Sequence, residues 1–182
     1  MDILVTAVLA TALVAASVTD IRNQRIYNWL TFPLILSGLA THTVFGGFAG
    51  LKFAASGFAL GFAAMAIPYF LGVMGAGDVK LMAGVGAWLG LDATLTAFLC
   101  TCMAGGVYAL GVLAFDRKTM MAVLRNIANV FLVFIATRSF NFAPTSTEKA
   151  LPRLCYGLAI AAGTFTAMGL YAWRTGSIHI GY

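Results

Sequence analysis

Residues 53–80 read FAASGFALGFAAMAIPYFLGVMGAGDVK, and they combine a membrane-length apolar run with a glycine-rich segment that carries an acid. Residues 53–73 contain no charged side chain, and about 20 apolar residues are what a helix needs to cross a hydrocarbon core of roughly 30 Å. Gly75 and Gly77 relax the limits on the backbone dihedral angles just before Asp78. Because a carboxylate at membrane depth is costly, Asp78 is a candidate functional residue.

The whole chain has the composition of a polytopic membrane protein. Of its 182 residues, 61% are hydrophobic and 9% are charged, against roughly 25% charged in an ordinary soluble domain. We therefore predict an all-α integral membrane bundle of about six transmembrane helices, with residues 1–182 forming a single membrane-embedded domain. The predicted spans are residues 3–18, 29–45, 53–73, 79–91, 93–115 and 154–173.

The basic residues predict how these spans are oriented. If the N-terminus lies outside, all of the 11 Lys and Arg residues except Lys52 and Arg174 fall in cytoplasmic segments, a strong positive-inside bias. This orientation places Asp20 and Asp78 on the cytoplasmic side of the bilayer. The net charge of +5 is spread through the loops and shows no nucleic-acid footprint.

One apolar stretch, residues 119–137, is ambiguous because it also carries Arg125, Asn126 and Asn129. A crossing there would move three basic residues to the outside, against the positive-inside bias. The sequence therefore favours a helix that lies in the cytoplasmic interface. A further membrane span is the alternative that the pattern leaves open.

Asp20 is the second acid at which a long apolar run breaks. A helix from Ile3 reaches it after about 27 Å, near the cytoplasmic edge. Span 79–91 is only about 20 Å long, so the loop before it is expected to dip into the membrane and take Asp78 below the interface. Two carboxylates that meet there share one proton. Such a pair activates water as general base and protonates a leaving amine as general acid, as in aspartic proteases.

Simpler interpretations exist for each acid. Asp20 then ends the first span in solvent, and Asp78 caps the positive N-terminal end of span 79–91. A functional alternative is a small proton-coupled transporter, in which Asp20 and Asp78 are proton-relay carboxylates in a water-filled path. A non-catalytic scaffold subunit is another. The position of both acids on one side, one of them after a glycine-rich loop, favours a catalytic pair.

Two segments resemble the active-site segments of the type IV prepilin peptidases. The first is TDIR at residues 19–22 with RIYNWLT at 25–31, and the second is GAGDVKLMA at 75–83 with GAWLG at 86–90. The resemblance implies an intramembrane aspartic endopeptidase of the prokaryotic inner membrane. Such an enzyme removes the short basic leader of type IV or Flp pilin-like precursors on the cytoplasmic side. By motif position, Asp20 and Asp78 form the catalytic pair, and Gly75, Gly77 and Lys80 belong to the active-site loop.

Larger members of that family carry a cysteine-rich zinc module, which this chain lacks. The resemblance is therefore to the short form found in tight-adherence pilus systems, and it leaves N-methylation of the product open. Cys100, Cys102 and Cys155 include no CxxC pair, and His42 and His179 are isolated in sequence, so no metal or other cofactor is expected. The sequence does not indicate the oligomeric state.

Overall fold

A computed structural model of the protein is all-helical. It describes residues 2–71, 74–115, 121, 125 and 155–175. The all-α class is confirmed, whereas the interfacial helix predicted at 119–137 lies outside the described residues apart from 121 and 125. The helices are α1 (Asp2–Asn23), α2 (Asn28–Phe70), α3 (Ala76–Phe115) and α4 (Tyr156–Thr175).

By its internal contacts the chain divides into two compact units. One comprises Met1–Gly105 and Cys155–Tyr182, and the other comprises Gly106–Leu154. Of the second unit, the structure describes the end of α3 and residues 121 and 125. All packing described below is internal to the first unit, so the single domain over residues 1–182 stays a prediction.

Glycines interrupt α2 and α3. Gly47 has φ +55° and ψ −138°, and Gly90 has φ +72° and ψ −177°, combinations that are essentially confined to glycine. The chain folds back on itself at Gly47. The close approach of Gly50 to His42 shows this, since a Cβ on Gly50 would lie 2.7 Å from the carbonyl carbon of His42. Residues eight apart in a continuous helix are separated by about 12 Å.

The N-terminal half of α3 forms the core against which α2 packs. Every residue from 81 to 90 is buried, the burial expected of a helix that is apolar on all sides. Glycines bring the two backbones into contact. A Cβ on Gly86 would lie 2.6 Å from the carbonyl carbon of Gly57, and a Cβ on Gly61 would lie 3.0 Å from that of Met82.

Two buried polar side chains connect the first half of α2 to the same core. Trp88 Nε1 donates a hydrogen bond to the carbonyl oxygen of Leu34 at 2.9 Å. His42 Nε2 bonds the carbonyl oxygen of Trp88 at 3.1 Å. Because unpaired polar groups are costly in an apolar interior, these bonds favour a single register between α2 and α3.

Within the described residues, three helices are long and apolar enough to cross a membrane: Ile3–Asn23, Asn28–Phe70 and Ala76–Gly111. The last predicted span, residues 154–173, corresponds to α4, which is not among them. Its sequence intersperses glycine, threonine and tyrosine with the aliphatic residues, which lowers its hydropathy. The count of six crossings therefore stays a prediction.

The helices begin and end at other residues than the predicted spans. The first predicted span stopped at residue 18, whereas α1 continues to Asn23, and residues 46–52 between two predicted spans are helical except at Gly47. Hydropathy locates apolar residues, but helical hydrogen bonding continues through polar ones. For the same reason α3 begins at Ala76, three residues before the predicted start of span 79–91, so the loop before it is shorter than expected.

Candidate active site

Asp20 lies in the last part of α1 and is 7% exposed. Its Oδ2 accepts a hydrogen bond from the backbone N–H of Gly157 at 2.8 Å. Gly157 is the second residue of α4, which packs against α1. Asp20 is therefore held inside the protein by a neighbouring helix, and the interpretation of Asp20 as a solvent-exposed helix end is wrong.

Asp78 is the third residue of α3 and is 8% exposed. Its Oδ2 accepts a hydrogen bond from the backbone N–H of Gly75 at 3.0 Å, and its own N–H donates to the carbonyl oxygen of Gly75 at 3.1 Å. This is the reciprocal geometry of an acid in the first turn of a helix. Asp78 is therefore not the N-cap residue of the simpler interpretation, but its side chain binds the N–H of Gly75, the residue that precedes the helix. This hydrogen bond occupies one carboxylate oxygen of Asp78, whose side chain is also buried.

The structure brings the two aspartates into one site. The segments that hold them meet at Ile26, which packs between them. A Cβ on Gly77, beside Asp78, would lie 2.9 Å from Cβ of Ile26. A Cβ on Gly157, the donor to Asp20, would lie 3.2 Å from Cδ1 of the same isoleucine. The catalytic role of the pair stays a prediction.

Both carboxylates are placed at the N-termini of helices. Asp78 lies in the first turn of α3, and Asp20 accepts its bond from the first turn of α4. Backbone N–H groups are unpaired there, and the helix dipole favours negative charge. Among the described residues, Oδ1 of neither aspartate has a hydrogen-bond partner, so each carboxylate keeps one oxygen for a water molecule or a substrate.

The predicted loop residues take different positions around this pair. Gly75 precedes α3 and donates to Asp78, whereas Gly77 and Lys80 lie within the helix. Lys80 Nζ donates to Oδ1 of Asn28 at 2.9 Å and lies 5.1 Å from the ring centroid of Phe32. Lys80 therefore connects the N-terminus of α3 to that of α2.

Sequence reasoning missed the residues of α4 and the packing role of Ile26. The resemblance covered most of residues 3–115, and the donor to Asp20 lies 137 positions further along the chain. A physical argument could have indicated that a further segment contributes to the site. A buried carboxylate needs a hydrogen-bond donor, and the two motifs supply none for Asp20. Within the described residues, no group of three or more His, Cys, Asp or Glu is placed to hold a metal ion.

Comparison with known proteins identifies the family to which the chain belongs. The sequence model of the type IV leader peptidase family matches residues 7–110, which include Asp20 and Asp78. Curated relatives named "Prepilin leader peptidase/N-methyltransferase" include those of Burkholderia pseudomallei (strain K96243), 34% identical over 119 residues, and of Aeromonas hydrophila, 32% identical over 112 residues. These matches cover 62% and 58% of this chain, and 38% of each relative's length. No solved structure matches the chain.

Proposed function

The chain belongs to the type IV leader peptidase family, and we propose that it is a prepilin leader peptidase, an intramembrane aspartic endopeptidase. The observation that carries this proposal is that two buried carboxylates from separate parts of the sequence, Asp20 and Asp78, lie in segments that meet at Ile26. Both lie in the matched region. A buried pair of acids within reach of each other is the arrangement that acid–base hydrolysis of a peptide requires.

In the proposed mechanism, one ionised carboxylate removes a proton from a water molecule bound between Asp20 and Asp78. The resulting hydroxide adds to the scissile carbonyl carbon and forms a tetrahedral intermediate. The other, protonated carboxyl then donates its proton to the leaving nitrogen as the C–N bond breaks. Because the N–H groups of Gly157 and Gly75 hold one oxygen of each aspartate, the second oxygens are oriented for these proton transfers.

The proposed substrates are type IV or Flp pilin-like precursors, cut behind a short basic leader on the cytoplasmic face of a prokaryotic inner membrane. The positive-inside bias supports this orientation. The interruptions at Gly47 and Gly90 support six crossings, because they divide α2 into two halves close to membrane length and α3 into one such half and a shorter one of about 21 Å, residues 76–89. We propose the peptidase reaction and leave N-methylation of the product open, because the match covers only 38% of the length of the relative whose name includes N-methyltransferase.

The test is cleavage of a pilin-like precursor by purified protein in detergent or lipid. Asp20→Asn and Asp78→Asn preserve side-chain volume, and each is expected to lower kcat by roughly 10²- to 10⁴-fold, the contribution typical of one acid–base group. Asp92→Asn is the matched control, because Asp92 is an exposed acid on α3 outside the site. Cleavage at the wild-type rate in either variant of the pair would reject the proposal.

The same variants separate peptidase from transporter. A proton-coupled transporter reconstituted in liposomes would show a proton-dependent flux that requires both aspartates. It would not cleave the precursor. A scaffold subunit would tolerate both substitutions in either assay. We expect precursor cleavage that depends on both aspartates.

A further inference from the structure

The first turn of α4 lies against Asp20. Cys155 Sγ is 3.9 Å from the carbonyl oxygen of Asp20, and the N–H of Gly157 donates to the carboxylate of the same residue. Tyr156, between them, packs against Gly105 of α3. We propose that residues 155–157 are a third segment of the active site, in which Gly157 is the positioning residue for Asp20. This inference rests on the proposed peptidase function for its catalytic consequence.

The hydrogen bond between Gly157 and Asp20 satisfies a polar group on each of the two residues. The N–H of a residue in the first turn of a helix has no partner within that helix. The carboxylate of Asp20 is buried and needs a donor. The 2.8 Å contact satisfies both groups at once, and it determines which oxygen of Asp20 is occupied and which faces the reaction.

Position 157 accepts only glycine without movement of the site. A Cβ there would lie 2.9 Å from Oδ2 of Asp20, 3.1 Å from its Cβ and 3.2 Å from Cδ1 of Ile26. Gly157 is itself buried, so an added methyl group at 157 would be enclosed by these atoms. Any larger residue at 157 therefore displaces Asp20 or separates α4 from α1.

Tyr156 places the same turn against α3. A Cβ on Gly105 of α3 would lie 3.8 Å from Cε1 of the Tyr156 ring, so the ring is seated between α4 and α3. The turn that holds Asp20 therefore also packs against the helix that carries Asp78.

The first test compares Gly157→Ala with Gly169→Ala. Both substitutions add one methyl group to α4, but no described residue lies within 4 Å of the Cβ position at 169. For Gly157→Ala we expect kcat for precursor cleavage to fall about 10- to 100-fold, the consequence of a carboxylate misplaced by a fraction of an ångström to one ångström. KM and the thermal midpoint should stay close to those of Gly169→Ala.

The second test needs no catalytic activity. A hydrophobic carbodiimide reacts with protonated carboxyl groups, and mass spectrometry then quantifies its adduct on each aspartate. Because an N–H donor favours the charged carboxylate, displacing the donor should raise labelling of Asp20 about twofold or more at fixed pH. Labelling of Asp78 should change less, and Gly169→Ala should label like wild type.

The outcomes are distinguishable. Wild-type kcat and wild-type labelling in Gly157→Ala would overturn the positioning role while leaving the peptidase proposal intact. A wild-type protein that cleaves no precursor would reject the peptidase, yet labelling of Asp20 would still decide whether Gly157 holds it. If Gly157→Ala is not monodisperse, the double variant Gly157→Ala with Ile26→Val is used instead. Ile26→Val removes the methyl group that lies 3.2 Å from the new Cβ. The double variant is judged by the same two measurements, kcat and labelling of Asp20.

Discussion

At the scale of single residues, Asp78 combines a structural and a proposed chemical role in one side chain. Its Oδ2 holds the N–H of Gly75 at the start of α3, and its other oxygen is left for chemistry. A buried carboxylate without a donor would be strongly unfavourable. The capping bond therefore makes it possible for the acid to stay in the site between reaction cycles.

The two roles of Asp78 separate by substitution. Asn keeps an oxygen that accepts the N–H of Gly75, whereas Ala removes it. We expect both variants to lose cleavage, and Asp78→Ala to have a free energy of unfolding about 0.5–2 kcal/mol lower than Asp78→Asn, the usual effect of removing a helix cap. Unfolding of the purified variants in detergent measures the difference. Equal stability would show that the side chain at 78 does not hold the N–H of Gly75.

The aspartates were predictable from sequence, but the group that holds Asp20 was not. Asp20 and Asp78 are two of only six acids in the chain, and both interrupt apolar runs. Because charge is costly at membrane depth, such rare acids can be recognised as candidate functional residues from the sequence. The N–H of Gly157 cannot be recognised in this way, because every residue except proline has a backbone donor. Only the folded chain brings that donor to Asp20.

At the scale of helices, the contact between α2 and α3 depends on glycine. The four-residue spacing of Gly57 and Gly61 is typical of close helix packing in membranes, and the structure places both against the buried half of α3. The spacing does not identify which helix is the partner. That information comes from the fold-back at Gly47, which brings the second half of α2 alongside the first.

Gly86→Ala tests this contact. Its Cβ would lie 2.6 Å from the carbonyl carbon of Gly57, and backbone cannot rotate away as a side chain can. Gly106→Ala is the control on the same helix, because no described residue lies within 4 Å of the Cβ position at 106. Both variants gain the same helix propensity. We therefore expect Gly86→Ala to be less stable than Gly106→Ala by about 1–3 kcal/mol in detergent unfolding, the usual effect of overpacking. Equal stability would contradict the backbone contact.

At the scale of the whole molecule, composition predicted an all-α membrane protein but not the arrangement of its helices. In a bilayer, lipid-facing and buried faces are both apolar, so hydropathy does not distinguish the central helix from a peripheral one. The half of α3 from 81 to 90 is fully buried, whereas Phe45 and Phe48 of α2 are largely exposed. All of these positions are apolar or small in the sequence. The packing of small residues against backbone distinguishes the buried positions from the exposed ones, and this packing is visible only in the structure.

Orientation in the membrane is the property of the whole molecule on which cytoplasmic cleavage depends, and two exposed positions report it. Asn23 ends α1 three residues after Asp20, and Asp92 follows the break at Gly90, at the opposite end of the buried half of α3. Residues 78 and 90 are about 18 Å apart along that helix. If this half crosses the membrane, the two positions lie on opposite faces.

The measurement is labelling of cysteines, introduced one at a time, by a membrane-impermeant maleimide. The background lacks Cys100 and Cys102 and retains precursor cleavage. It keeps Cys155, which lies in the proposed active site, and its labelling is subtracted. We expect Asp92→Cys to be labelled in intact cells, and Asn23→Cys to be labelled only after the inner membrane is opened, because the basic residues near Asp20 are retained in the cytoplasm. The reverse pattern would place the aspartates on the outer face and reject cleavage from the cytoplasm. Labelling of both positions from one side would instead show that the buried half of α3 enters and leaves the bilayer on the same face.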